Sequence, residues 1–206
     1  MKIQHLLLIL LISSLSLYSQ KRAKIGFQAG AYGGGILSQI FGDNYAGFDR
    51  LGPQAGLFSK YVMNNNFQLK TELCYIQKGS KQVIPKQGLY TNFKLDYIEV
   101  PVLLDYYYKE DIYAEAGLGI AYLLSAKVDL DGYGYLDDDL GFEKYDLSWI
   151  IGIGYQFHPH FSISARYAYS ILPVRPNPGN QTYLFDRGCY NNYIAAYIHY
   201  YFTKQK

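Results

Sequence analysis

The chain has 206 residues, with 19 Lys and Arg against 17 Asp and Glu, for a formal net charge of +2. Half of the residues are hydrophobic and 17% are charged, which excludes a disordered polyelectrolyte, and the near-neutral balance gives no field for binding nucleic acid. Twenty-four tyrosines and 20 glycines beside two methionines and one tryptophan favour strands and tight turns over long helices.

The first segment, "MKIQHLLLILLISSLSLYSQ", has Lys2, an apolar run from Leu6 to Ile12 and small residues before a cut after Ser19. This is the layout of a secretory signal peptide, so residues 1–19 are expected to be removed and 20–206 to form one domain. The alternative, a membrane anchor helix, is disfavoured because the apolar run is short for a span. Cys74 and Cys189 fall far apart in strand order and are expected to stay unbonded.

After the leader, alternation with a period of two predicts eight strands, over 24–38, 51–62, 67–78, 95–108, 112–128, 147–157, 161–171 and 191–202. In the third, Phe67, Leu69, Thr71, Leu73 and Tyr75 alternate with Gln68, Lys70, Glu72, Cys74 and Lys78. In the fifth, Ile112, Ala114, Ala116, Leu118, Ile120, Tyr122, Leu124 and Ala126 alternate with Glu115, Gly117, Gly119, Ser125 and Lys127. The sixth and seventh repeat the pattern, with Trp149, Ile151 and Ile153 opposed to Ser148, Gly152 and Gly154, and Phe161, Ile163 and Ala165 opposed to Ser162, Ser164 and Arg166.

Short turns at 63–66, 109–111 and 158–160 alternate with long polar connections at 39–50, 80–93, 129–145 and 174–190. Antiparallel neighbours joined in this way put all short turns at one end and all long loops at the other. The expected fold class is all-β, an eight-stranded antiparallel up-and-down transmembrane barrel of outer-membrane type. A soluble carrier barrel would turn its apolar face inward. The large residues lie on the apolar face, and an eight-stranded interior is too narrow to hold them, so that face is expected to meet lipid. Tyr61, Tyr106, Tyr108, Tyr155 and Tyr200, near strand ends, would form interfacial girdles.

The lumen then collects Glu72, Glu99, Asp105, Glu115 and Asp146 with Lys60, Lys70, Lys78, Lys127 and Arg166, five of each sign. The reading is a plug of paired charges with Arg166 near its middle, bridging to Glu72 or Glu99. An ion-selective pore is the weaker alternative, since eight strands close too tightly for an aqueous channel. Pro101 lies within the fourth strand, where its missing N–H calls for a bulge or a lumenal side-chain donor.

Chemistry beyond this is sparse. His158 and His160 flank Pro159 in a turn and His199 is an inward residue, expected to be satisfied, with no nucleophile in the pattern, so no catalytic residue is assigned. The loop from Asp129 begins like a calcium site with Asp131 and Gly134, but Tyr133 and Leu140 stand where oxygen ligands are needed, and no metal or cofactor is expected.

The stretches "LDYIEVPVLLDYYY", "YAEAGLGIAYLLSAK" and "SISARYAYSILPV" together resemble the PorT-like family of outer-membrane barrels, common in bacteria of the Bacteroidetes group. The similarity runs from Ile25 to Phe202 and is most specific at 97–104, with Gly117, Gly119, Arg166 and Tyr167 at further matching positions. It implies an integral outer-membrane location with periplasmic termini. The last strand, "YIAAYIHYYF", resembles an assembly signal with Phe202 as its aromatic end, read by the barrel-assembly machinery. The expected partners are outer-membrane lipid and that machinery, with the chain a monomer. The expected role is structural or in interaction through the long loops, with a secretion or envelope-assembly component and a lipid-modifying enzyme as alternatives.

Overall fold

The computed structural model describes residues 26–42, 47–84, 89–108, 111–130, 132–137, 141–176 and 188–203. The leader expected at 1–19 lies outside the described residues. Among the described residues there are nine strands: β1 Phe27–Phe41, β2 Arg50–Val62, β3 Phe67–Ile84, β4 Leu89–Tyr107, β5 Ile112–Asp129, β6 Leu136–Asp137, β7 Tyr145–His158, β8 Phe161–Ser170 and β9 Tyr190–Tyr201. Eight form the wall, each antiparallel to its neighbours, and β9 pairs back onto β1 from Gly30↔Tyr201 to Phe41↔Tyr190, closing the barrel. The two residues of β6 pair only with Lys127 and Val128, beyond the last pairing of β5 with β7 at Tyr122↔Tyr145. Closure leaves no sheet edge within the wall, which lets strands cross a bilayer with their backbone groups paired.

Most of the segment expected as a loop at 80–93 is strand, because β3 runs to Ile84 and β4 starts at Leu89. The apolar alternation ends near Lys78, but Val83, Ile84, Tyr90, Thr91 and Phe93 keep the β propensity high, so pairing continues to Ile84↔Leu89.

Along the wall, exposed apolar residues alternate with buried ones, and Leu57, Leu73, Val102, Leu118, Ile151, Ile163 and Ile198 form the outward belt. Tyrosine and phenylalanine border it at the short-turn end, where Phe27 packs on Tyr61, Phe67 on Tyr106 and Phe161 on Tyr200 with ring centroids 5.0, 5.1 and 5.2 Å apart. Towards the loop end the sequence reading missed a second ring of contacts, Tyr122 on Tyr145 and Trp149 on Tyr167 and Tyr169. Two girdles flanking an apolar band are the signature of a membrane-spanning wall.

The expectation that the interior holds only small and charged residues is corrected. Tyr97, Tyr113, Tyr193 and Tyr201 are fully buried inside, with Ile36, Ile76, Leu95 and Leu103. Room for buried rings comes from glycines at the paired positions of neighbouring strands. A Cβ at Gly154 would fall on the ring of Tyr113, and one at Gly30 on the ring of Phe58.

Candidate functional site

Inward positions on eight strands converge on the lumen, so the site is built by alternation plus closure. Its charged groups lie in two layers. In the layer nearer the short turns, the Arg166 guanidinium on β8 donates through Nη1 and Nη2 to Glu72 at 2.8 and 2.5 Å, and through Nε to Glu115 at 2.5 Å. Lys70 reaches Glu115, Asp105 at 3.3 Å and Glu72 at 3.7 Å. Lys60 binds Asp105 at 2.8 Å and donates to Tyr107 and Tyr201 at 3.2 and 3.1 Å. Three cations and three carboxylates close the layer, and their side chains are at most 1% exposed. The rings of Tyr107, Tyr113 and Tyr201 surround the Lys60 ammonium at 4.8 to 5.6 Å, adding a cation–π share.

The next inward positions along β4, β5, β7 and β8 are Leu103, Gly117, Ile150 and Ala168, none of them charged. Beyond them lies the second layer. Lys78 sits 3.1 Å from Asp146 and 3.5 Å from Glu99. Ser170 and Asn191 donate to Asp146 at 2.6 and 3.0 Å, and Ser148 donates to Glu99 at 3.3 Å. Gly119 makes space here, since a Cβ would come within 2.7 Å of Glu99 Oε1.

At the loop end, Phe93, Val128, Val174, Cys189 and Ile40 are buried. Arg175 lies over Phe93 and Phe142 at 5.9 and 5.3 Å, and its residue pairs with Cys189 in an isolated bridge. No disulfide joins Cys74 to Cys189.

Six of the seven residues singled out from sequence, Glu72, Glu99, Glu115, Asp105, Lys70 and Arg166, are buried in the lumen. Arg166 bridges to Glu72 and to Glu115, not to Glu99. Lys127 is the correction. Asp96 pairs with Ser125 but Tyr97 with Leu123, so Leu124 is an extra residue in β5. A bulge of one residue moves every later side chain to the opposite face. Val128 is therefore buried, while Lys127 is 41% exposed with Nζ 3.9 Å from an Asp137 that is 93% exposed. Of the two outcomes expected at Pro101, a bulge or a lumenal side-chain donor, the bulge is not formed. Pro101 stays in register with Gly119 on β5, and the β3–β4 ladder skips Val100 and Pro101 without shifting, since Thr71↔Val102 and Cys74↔Glu99 share one register.

His199 is buried and is held by rings instead of hydrogen bonds. It stacks on Tyr32 at 5.2 Å and lies edge-on to Phe58 at 5.6 Å, and neither ring nitrogen has a hydrogen-bond partner among the described residues. Phe202 follows β9, half-exposed, and donates its N–H to the Ala29 carbonyl at 2.9 Å, fastening the chain end to β1.

The comparisons agree with this architecture. Crystal structures of Ail, the attachment invasion locus protein of Yersinia pestis, superpose with a TM-score of 0.50. One, in complex with the heparin analogue sucrose octasulfate, is 17% identical over 85% of this chain and 99% of that chain. The other is 19% identical over 85% and 98%. Neisserial surface protein A aligns at 14% identity over 86% of this chain and 99% of that one, with a TM-score of 0.49. At these identities the likeness to Ail speaks for fold alone. A search of curated proteins finds no match. The family model described as outer membrane protein beta-barrel domain matches residues 17–174. The chain belongs to that family and is an integral outer-membrane β-barrel protein.

Proposed function

We propose that the barrel conducts no ions and catalyses no reaction, and that it serves as a rigid membrane anchor for an interaction surface built from its long-loop end. The supporting observation is the lower charge layer. Lys60, Lys70, Glu72, Asp105, Glu115 and Arg166 reach in from five strands and meet in mid-lumen with at most 2% exposure. An ion following the axis would have to break several charge-assisted hydrogen bonds at once. The expected result in planar bilayers is no stable current, and a steady open conductance overturns the plug.

On this reading both barrel ends of the chain, Phe27 beside Tyr61 and Tyr201 beside the 158–160 turn, lie on the short-turn side, which we place in the periplasm. The barrel is a monomer, its partners are lipid and the assembly machinery, and the likeness to PorT-like proteins of Bacteroidetes carries the source. Protease protection of a tag after Lys206 in intact cells tests the orientation. A role in secretion or envelope assembly would make a dedicated partner recur after in-cell crosslinking. A lipid-modifying activity would give product from labelled lipid.

A further inference from the structure

Removing Lys127 from the lumen leaves its described charges unequal. In the two layers Lys60, Lys70, Lys78 and Arg166 face Glu72, Glu99, Asp105, Glu115 and Asp146, four cations against five carboxylates. Arg50 and Asp129, also buried and of opposite sign, lie beyond them at the loop end, Arg50 donating to the Lys78 carbonyl, Gln77, Asn92 and Tyr135 and Asp129 accepting from the Gly132 N–H. The lower layer balances internally, so the surplus falls on the upper one, where Lys78 alone faces Glu99 and Asp146. An uncompensated charge in a closed, low-dielectric interior is not retained; the group neutralises instead.

We propose that the upper layer is a proton-binding site, with Glu99 held as a neutral carboxylic acid beside an ionised Asp146. The inference rests on the sealed lumen proposed above. Geometry decides which carboxyl keeps the proton. Asp146 accepts from Ser170 at 2.6 Å, Asn191 at 3.0 Å and Lys78 at 3.1 Å, three donors that stabilise an anion. Glu99 is only 3.3 Å from Ser148 and 3.5 Å from Lys78, both through Oε1, and its buried Oε2 has no hydrogen-bond partner among the described residues. That is the environment of the weaker acceptor, where a proton costs least.

The other titratable groups around Glu99 are Lys78 and Cys74 on β3, Tyr97 on β4, Asp146 on β7, and Tyr193 and Tyr197 on β9. Lys78 is the one cation among them, and Arg166 is already committed to Glu72 and Glu115. A metal ion is a poor substitute for the proton, because the ammonium of Lys78 already lies within 3.5 Å of both carboxylates and would repel it. The proton comes from water before the lumen closes.

Infrared spectroscopy of the refolded full chain in detergent, at neutral pH in heavy water, reads the site directly. The expected spectrum contains the carbonyl stretch of a neutral carboxylic acid. E99Q, which has the shape of the protonated form, loses the band and keeps or raises the denaturant midpoint, while D146N lowers it. No such band in the parent, a band that survives E99Q, or an E99Q midpoint that falls as far as that of D146N would overturn the assignment. The parent and E99Q spectra decide the matter even if D146N does not refold. Conductance is read separately: current with the band present ends the plug but keeps the proton, and silence without the band keeps the plug and removes the proton.

Discussion

The two charge layers of the lumen solve one problem in different ways. In the lower layer three carboxylates meet three cations, and Arg166 alone supplies a bidentate contact to Glu72 and a second contact to Glu115. In the upper layer one lysine serves two carboxylates, and serine hydroxyls with an asparagine amide make up part of the difference. Both are dry. On the protonation proposed above, burial does not require ion pairs in equal number: neutral donors carry an anion when they converge on it, as on Asp146, and the carboxyl with fewer of them, Glu99, gives up its charge.

The comparison breaks most severely at Arg166. Arg166→Met leaves Glu72 and Glu115 without their main partner and should cost about 3–5 kcal/mol, read as a fall in the urea midpoint of refolded barrel. An unchanged midpoint would show that water already solvates the lower layer. Ser170→Ala tests the neutral-donor scheme in the upper layer and should cost about 1.5–3 kcal/mol, since the lost bond goes to a charged acceptor. Ser148→Ala should cost less, because its acceptor is the longer contact with Glu99.

Packing sharpens the contrast further. Gly154→Val drives a side chain into Tyr113, which stacks on Tyr107 at 5.0 Å beneath Lys60, and should destabilise by about 1–3 kcal/mol. Gly33→Ala is the matching control, because its Cβ meets nothing closer than 3.9 Å, and it should change stability by no more than about 0.5 kcal/mol. The smallest effect belongs to Lys127→Ala. A half-exposed lysine with a loose partner contributes on the order of 0–0.5 kcal/mol, so a large loss would put Lys127 back in the lumen and remove the bulge at Leu124.

Strand number, antiparallel order and the outward direction of the apolar face were legible in the sequence. A period of two is a local property, and a run such as Leu118, Ile120 and Tyr122 against Gly117, Gly119 and Ala121 declares its two faces without knowledge of its neighbours. The same alternation placed Lys70, Glu72, Glu99, Asp105, Glu115 and Arg166 inside, because each stands on the polar phase of a strand with one buried face. What local pattern does not contain is pairing. Leu124 is one apolar residue among several, and only the shift from Asp96↔Ser125 to Tyr97↔Leu123 shows that β5 has one residue more than its partner needs and that Lys127 turns outward. The choice of Glu115 over Glu99 as the second partner of Arg166 likewise depends on the stagger of β5, β7 and β8 around the closed wall. The depth at which tyrosines share the lumen with glycines depends on it too. The sequence by itself determined which side chains share a face along each regular run of strand, since the period of two is set by the backbone of that strand alone. Tertiary structure decided which of them meet, because closure, register and one bulge fix their heights along a common axis.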